Sequence, residues 1–388
     1  MKRSTFKLIL LKILFIAVML FLACQKNVTQ PNNGTIPDID ISGSANGVVP
    51  LTGNVPVVLQ TLFNKYTKVT APNGKPIHIF ASVGVSDAQA ARARKIMEFI
   101  LRDAPGTHYG SNKSAIANTM ANNKATLVYF DTEAQSLANR DKVADLGLFV
   151  QDLYATESPV EGSNDYLNNI TRDAAYEEIF HLVQGAGIQT ALSAFHAEIV
   201  AAEQQARAAG IYRYDDPSPD VAPFEYIISC IDIYYGLWAH LPSGPSFGGE
   251  YDPHTPENLK TIDPTGYELV EKLFPPYLDW NVQLDPAFDG MFDLKFDSAK
   301  TYTLKSKFMK DVTLTGFNNS NLRGNELNNT LTGNSGANTV FFTGASTEYT
   351  ITTRDGTTTV IDNIPNRDGT DTLRNIEFLQ FGDRLIQL

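Results

Sequence analysis

The stretch Tyr176-Glu177-Glu178-Ile179-Phe180-His181 carries the residue types best suited to chemistry. On a helix, residues i and i+4 share one face. Glu177 and His181 are therefore neighbours, and Glu178 lies beside them, rotated by about 100°. Metal-dependent hydrolases use this geometry: two ligands at i and i+4, with a Glu between them as general base for an activated water. A Glu and a His at this spacing also occur on many helices as a solvated pair. Here the surrounding residues Ala174, Ala175, Ile179, Phe180, Leu182 and Val183 are apolar, so polar groups buried among them need partners. Gly185 and Gly187 bound the loop that follows.

These residues resemble the zincin metallopeptidase motif H-E-x-x-H, written here as E-E-x-x-H. Glu178 matches the catalytic Glu and His181 the second ligand His, while Glu177 stands where the motif has its first His. A carboxylate can bind zinc at about 2.0–2.2 Å, although it makes the site harder and more anionic. The resemblance extends to the gluzincin branch, whose third ligand is a Glu on a later helix. Glu225-Tyr226-Ile227 is similar to that element in anthrax-lethal-factor-like peptidases, a Glu followed by two bulky residues opening an apolar helix. The resemblance implies a zinc site of Glu177, His181 and Glu225, with Glu178 as base. Asp232 lies seven residues beyond Glu225 on the same face and is a candidate to orient a ligand, His181 in particular. Glu198, on the intervening helix with His196, is the rival third ligand. Tyr212 and Tyr214 are candidates to polarise a carbonyl.

The elements that must position these residues are legible in outline. Residues 171–183 read as a helix with Thr171 as N-cap and Gly185 as terminator. Residues 189–209 read as a second helix and 224–238 as a third. Upstream, 76–80 reads as a strand, Ser86 caps a helix running to about Arg102, 113–122 is helical and 126–130 is a strand. This strand–helix–helix–strand order predicts an α+β domain over 51–296. Residues 241–290 are rich in Pro and Gly and read as surface wrapping, with one helix near 266–273.

The ends of the chain differ in kind. Residues 1–24 read as a secretion signal: Lys2, Arg3 and Lys7, then an apolar run ending Phe21-Leu22-Ala23-Cys24, too short to span a membrane. The run resembles the lipobox of bacterial lipoproteins, which implies lipidation of Cys24 and a membrane anchor in the cell envelope, at the outer membrane or cell surface. Residues 25–50 are polar and read as a flexible tether. Cys230, without a partner cysteine, reads as a small buried hydrophobe.

From residue 297 onward Thr, Asn and Gly dominate. Residues 324–332 and 333–341 are consecutive nonapeptides in which Gly, Asn, Asn, Thr and an aliphatic recur at nine-residue offsets, and a fainter copy with Leu322 in the aliphatic place precedes them. A nine-residue period with one inward aliphatic describes a parallel β-roll. The pattern resembles RTX repeats, and residues 369–381 are similar to the segment that closes many such modules. RTX rolls bind calcium through an Asp at the sixth position, where this chain has Asn329 and Asn338. Calcium prefers several charged oxygens, so a calcium-free module over 297–388 is expected.

The chain has 388 residues and a formal charge of -12. That balance argues against nucleic acid as a partner, because phosphate binding needs a basic face. Neither G-x-G-x-x-G nor a P-loop occurs. Two functions remain: a membrane-anchored lipoprotein with a metal-dependent, peptidase-like hydrolase domain acting on a peptide or protein, or an inactive zincin-like surface binding or adhesion lipoprotein.

Overall fold

The computed structural model describes residues 36–53, 55–238 and 246–388. The signal segment, Cys24 and the first part of the tether lie outside the described residues. The chain is a mixed α/β protein with several mixed sheets and a C-terminal run of strands.

The first sheet has the order β1-β2-β3-β4-β5: β1 (Val49–Pro50), β2 (Lys65–Thr70), β3 (Pro76–Ala81), β4 (Ala125–Phe130) and β5 (Phe149–Tyr154). The first three strands pair antiparallel, and β3, β4 and β5 run parallel. Parallel neighbours need helical crossovers. These are α1 (Asp87–Leu101) and α2 (Ser114–Asn122) between β3 and β4, and α3 (Glu133–Ala144) between β4 and β5. Central β4 is buried along its whole length, as its unbroken Ala-Thr-Leu-Val-Tyr-Phe run requires. Residues 36–50, read as tether from their composition, lie against this sheet. Ile36, Ile39, Ile41 and Val49 pack on the cluster of Phe63, Tyr66, Phe80 and Phe130, and Asp38 pairs with Lys68.

Ser86 starts α1 as expected, with a complete capping box: its Oγ accepts from Gln89 N at 3.1 Å, and Gln89 Oε1 accepts from Ser86 N at 3.0 Å. The buried face of α1 includes Ala90, Ala93, Met97 and Ile100, and also Arg92. The Arg92 guanidinium reaches Glu161 at 2.8 Å and Asp173 at 2.5 Å. Asp173 Oδ1 in turn accepts from Ala175 N at 3.1 Å. The start of a later helix is thus fixed from the core.

After α4 (Asn164–Asn168), that helix is α5 (Ala175–Val183), followed by α6 (Ser193–Ala208), α7 (Ala222–Tyr234), α8 (Pro256–Ile262) and α9 (Pro264–Leu273). Two details of α5 differ from expectation. Thr171 is not its N-cap; the helix begins at Ala175, with Asp173 accepting the first free amide. Gly185 does not end it either, because the helix runs on into a π-turn at Gln184–Ile188. The glycines serve close packing. A Cβ on Gly185 would lie 2.9 Å from the Phe149 ring, and one on Gly187 would lie 2.8 Å from Ile116 and Met120.

The C-terminal strands alternate between two sheets. β6 (Leu278–Gln283), β8 (Met309–Thr313), β10 (Thr330–Thr332) and β14 (Thr370–Arg374) form one parallel ladder; β7 (Met291–Asp293), β9 (Asn321–Arg323), β11 (Thr339–Phe341) and β15 (Phe378–Gln380) form the other. The hairpin of β12 (Tyr349–Arg354) and β13 (Thr357–Asp362) extends the first ladder, and β16 (Leu385–Gln387) extends the second. Each rung contributes one inward residue. Val282, Val312, Leu331 and Leu373 stack in register in one ladder, and Phe292, Leu322, Val340 and Leu379 in the other, all buried. β6 and β7 precede residue 297, so the compositional change near 296 falls inside the paired set rather than at its edge.

Asn329 and Asn338 face the previous turn of chain. Asn338 Oδ1 accepts from Asn334 N at 2.8 Å and its Nδ2 donates to Ser320 O at 2.8 Å. Asn329 does the same with Asn325 N and Lys310 O, both at 3.0 Å. An amide supplies a donor toward a carbonyl, which an ionised carboxylate cannot do.

Candidate metal centre

Glu177 and His181 come together on α5 as their spacing requires, and α7 delivers Glu225 opposite them. One ligand atom from each of the three lies within 4.8 Å of the others. His181 Nε2 is 3.8 Å from Glu225 Oε1. Two donors sharing one zinc at about 2.0–2.2 Å stand roughly 3.3–3.6 Å apart in tetrahedral geometry, so a small movement would let both engage. His181 is buried, at 6% side-chain exposure, and its Nε2 has no hydrogen-bond partner. A buried polar atom without a partner is costly, and here it faces a carboxylate. The three residues could hold a metal ion.

Glu178 stands on the other side of the imidazole, its Oε2 3.7 Å from His181 Nδ1. Gln151 of β5 donates Nε2 to the same Oε2 at 2.5 Å. Burial pushes the Glu178 carboxyl above its ordinary value, although the nearby His181 opposes this. Burial likewise pushes Glu225 up to about 7 against the pull of His181. Burial would lower the His181 pKa, but Glu225, Glu178 and Glu177 outweigh it and raise it to about 9.

Asp232 reaches the centre by a route the sequence did not suggest. It does not hold His181. Its Oδ2 accepts from Arg172 Nη2 at 3.0 Å, and Arg172 also pairs with Glu177. Glu198, the rival third ligand, is bound elsewhere, to Tyr109 Oη at 2.6 Å and Lys272 Nζ at 2.9 Å. His196 lies beside Phe224, with ring centroids 5.8 Å apart, and is not in the ligand group. Tyr212 and Tyr214 are buried and stacked, and both feel the Glu225 charge. The Tyr212 hydroxyl has no hydrogen-bond partner.

Several contributors escaped the sequence reading. Arg172, Gln151 and Glu157 carry no motif; Gln151 and Glu157 become neighbours of the site because β5 and the turn after it lie against α5, and Arg172 because it lies in the segment that leads into α5. Glu157 is pushed well above the ordinary carboxylate range by burial and then by Glu178 and Glu177. The chain also holds a G-x-S-x-G spacing, Gly244-Pro245-Ser246-Phe247-Gly248. Ser246 is buried and its hydroxyl donates to Tyr251 O at 3.2 Å, so it is no exposed nucleophile. Cys230 is fully buried with its thiol 3.3 Å from Tyr251 Oη, and burial pushes its pKa up, away from reactivity.

Among the described residues, no helix is long and apolar enough to cross a membrane. In comparisons with known proteins, no family model and no curated protein matches the chain.

Proposed function

We propose that the protein is an exported, lipid-anchored, metal-dependent hydrolase of the peptidase type, with a zincin-like domain and a calcium-free, RTX-like β-roll after it. One observation carries the reading: the unpartnered, buried His181 Nε2 converges with Glu225 and Glu177, and Glu178 stands alongside. Glu177, His181 and Glu225 would hold zinc, which would supply Lewis acidity to a carbonyl oxygen and to a water. Glu178 takes the proton from the attacking water and returns it to the leaving amine. Gln151 holds Glu178 in place for that transfer. The Tyr212 hydroxyl is suited to donate to the oxygen that gains charge. The lipid on Cys24 fixes the enzyme at a bacterial membrane, at the outer membrane or cell surface, and the alternating inward residues and nine-residue repeat support the β-roll.

The test is metal content together with cleavage of a peptide library, with and without chelator. The reading requires near-stoichiometric zinc in the wild type, loss of zinc in His181→Ala, and chelator-sensitive cleavage abolished in Glu178→Gln. A zinc-free wild type that cleaves nothing would sink it.

The Arg172–Glu177 pair favours a second reading, an inactive zincin-like surface binding or adhesion lipoprotein, because Glu177 already has a cation beside it. That reading requires Glu178→Gln to leave the function intact and deletion of the C-terminal module to remove surface attachment.

A further inference from the structure

Glu177 is the residue that departs from H-E-x-x-H, and it is also the ligand that comes with its own positive charge. The Arg172 guanidinium pairs with Glu177 and donates to Asp232 Oδ2 at 3.0 Å. Its Cζ lies 5.1 Å from the Trp238 ring centroid and 5.2 Å from that of Phe247. Those two rings stack on each other with centroids 4.0 Å apart. Two carboxylates therefore hold a planar cation whose fork suits such recognition, and the stacked pair of rings flanks it.

We propose that Arg172 is a positioning residue that sets the metal preference of the centre, by neutralising Glu177 and restraining it so that the Glu177–Arg172 pair stands in for a neutral imidazole. The proposal rests on the reading of Glu177, His181 and Glu225 as metal ligands. Glu177 lies close enough to act on the charge of Glu157, Glu225 and Asp232, and Glu178 on that of Glu157 and Glu225, around a single histidine that stands within 4.8 Å of Glu177 and Glu225. Left to themselves they would make a hard, strongly anionic oxygen cage. Such cages favour cations that take six or more oxygens, such as calcium or manganese. With Arg172 in place, one carboxylate is compensated and cannot turn both oxygens to a metal. What remains is a three-donor N,O,O set of modest charge with an open position, the pattern of catalytic zinc. Asp232 on α7 anchors Arg172 from the far side, so the helix that supplies Glu225 also fixes the cation that governs Glu177.

A purely structural role for Arg172 would change stability but leave the order of metal affinities alone. The experiment is therefore equilibrium binding of zinc and of manganese to the full-length protein, with manganese read by its paramagnetic resonance signal. Manganese is preferred to calcium because calcium would also probe the asparagine turns of the C-terminal repeats. Arg172→Gln is expected to move the zinc-to-manganese affinity ratio toward manganese by roughly tenfold to a hundredfold, the range typical of residues that hold a metal ligand. Arg172→Lys, which keeps the charge, is expected to stay within a few-fold of wild type. Zinc binding by wild type with an unchanged ratio in Arg172→Gln overturns this proposal and leaves the metal reading standing. No metal in wild type or variants overturns both. If Arg172→Gln does not fold, Asp232→Asn supplies the second test: freeing Arg172 from its anchor loosens its restraint on Glu177 and shifts the ratio toward manganese, and an unchanged ratio or a shift toward zinc overturns the proposal.

Discussion

Gln151, on the edge strand β5, donates its side-chain amide to Glu178 Oε2 at 2.5 Å, so the sheet and not the helix holds the candidate base in position. Glu178 lies in a helix that gives it neighbours only along its own faces, and the edge strand supplies the lateral restraint. Removing the carboxylate and removing its holder should therefore differ in kind. Glu178→Gln is expected to reduce kcat by about 10²–10⁴-fold, the usual worth of a positioned base, with zinc affinity within a few-fold of wild type. Gln151→Leu is expected to reduce kcat by a smaller factor and to leave KM unchanged. Steady-state kinetics on any substrate found in a peptide library would show the pattern; equal losses in both variants would mean that Gln151 does more than hold Glu178.

The part of this site visible in the sequence was the part written in helical spacing. Glu177, Glu178 and His181 follow from i to i+4 arithmetic, and Glu225 from the apolar helix that it opens. The rest depended on which elements become neighbours. Arg172 precedes the helix by a few residues, and nothing in its surroundings marks it as the partner of both Glu177 and Asp232. Asp173 displaced Thr171 from the helix start because Arg92, far upstream, holds it there. Gly185 looked like a helix stop, yet it is required by the Phe149 ring. In the C-terminal module the nine-residue repeat exposed the inward aliphatics directly. Val282 and Phe292 went unread because they precede the repeat and join it only through strand pairing.

The Arg92 network makes a stability prediction. Arg92, Glu161 and Asp173 are all nearly inaccessible to water, and Arg92 bonds to both acids. Removing one partner of a buried ion pair leaves the others uncompensated, at a cost of about 3–5 kcal/mol. Arg92→Met is expected to destabilise the protein by that amount in urea unfolding. It should also weaken zinc binding, because Asp173 would no longer be held at the start of α5. A loss below about 1 kcal/mol would show that the acids relax to water or take up protons at little cost.

Asn338 tests why the repeats carry asparagine. Its amide both accepts from Asn334 N and donates to Ser320 O, at 2.8 Å each. Asn338→Asp keeps the acceptor and removes the donor, setting a carboxylate against the Ser320 carbonyl. The expected loss is about 1–3 kcal/mol, the cost of a buried unsatisfied group, measured by thermal unfolding in chelator. Wild type is expected to unfold at the same temperature with or without millimolar calcium. A calcium-dependent rise in wild type would contradict the account of these turns.

His78 predicts how acid acts on the first sheet. It is buried in β3, and its Nδ1 shares a hydrogen bond of 2.9 Å with the Tyr66 hydroxyl. Burial lowers its pKa to about 4 from the ordinary 6.5, helped by Lys68 directly across the strand pair and opposed by Asp38. The folded protein thus refuses a proton that the unfolded chain accepts between these values. The residue contributes no pH dependence above 6.5. Below 6.5 it costs stability as the pH falls, by up to about 1.4 kcal/mol for each unit, and the loss of about 3 kcal/mol is complete below pH 4. His78→Gln keeps an acceptor for Tyr66 and cannot titrate. Denaturant unfolding from pH 7.5 to 4 should therefore give curves for wild type and variant that run parallel above 6.5 and diverge below it, with wild type falling faster. Curves that stay parallel down to pH 4 would mean that His78 is solvated or shares its proton in the folded state.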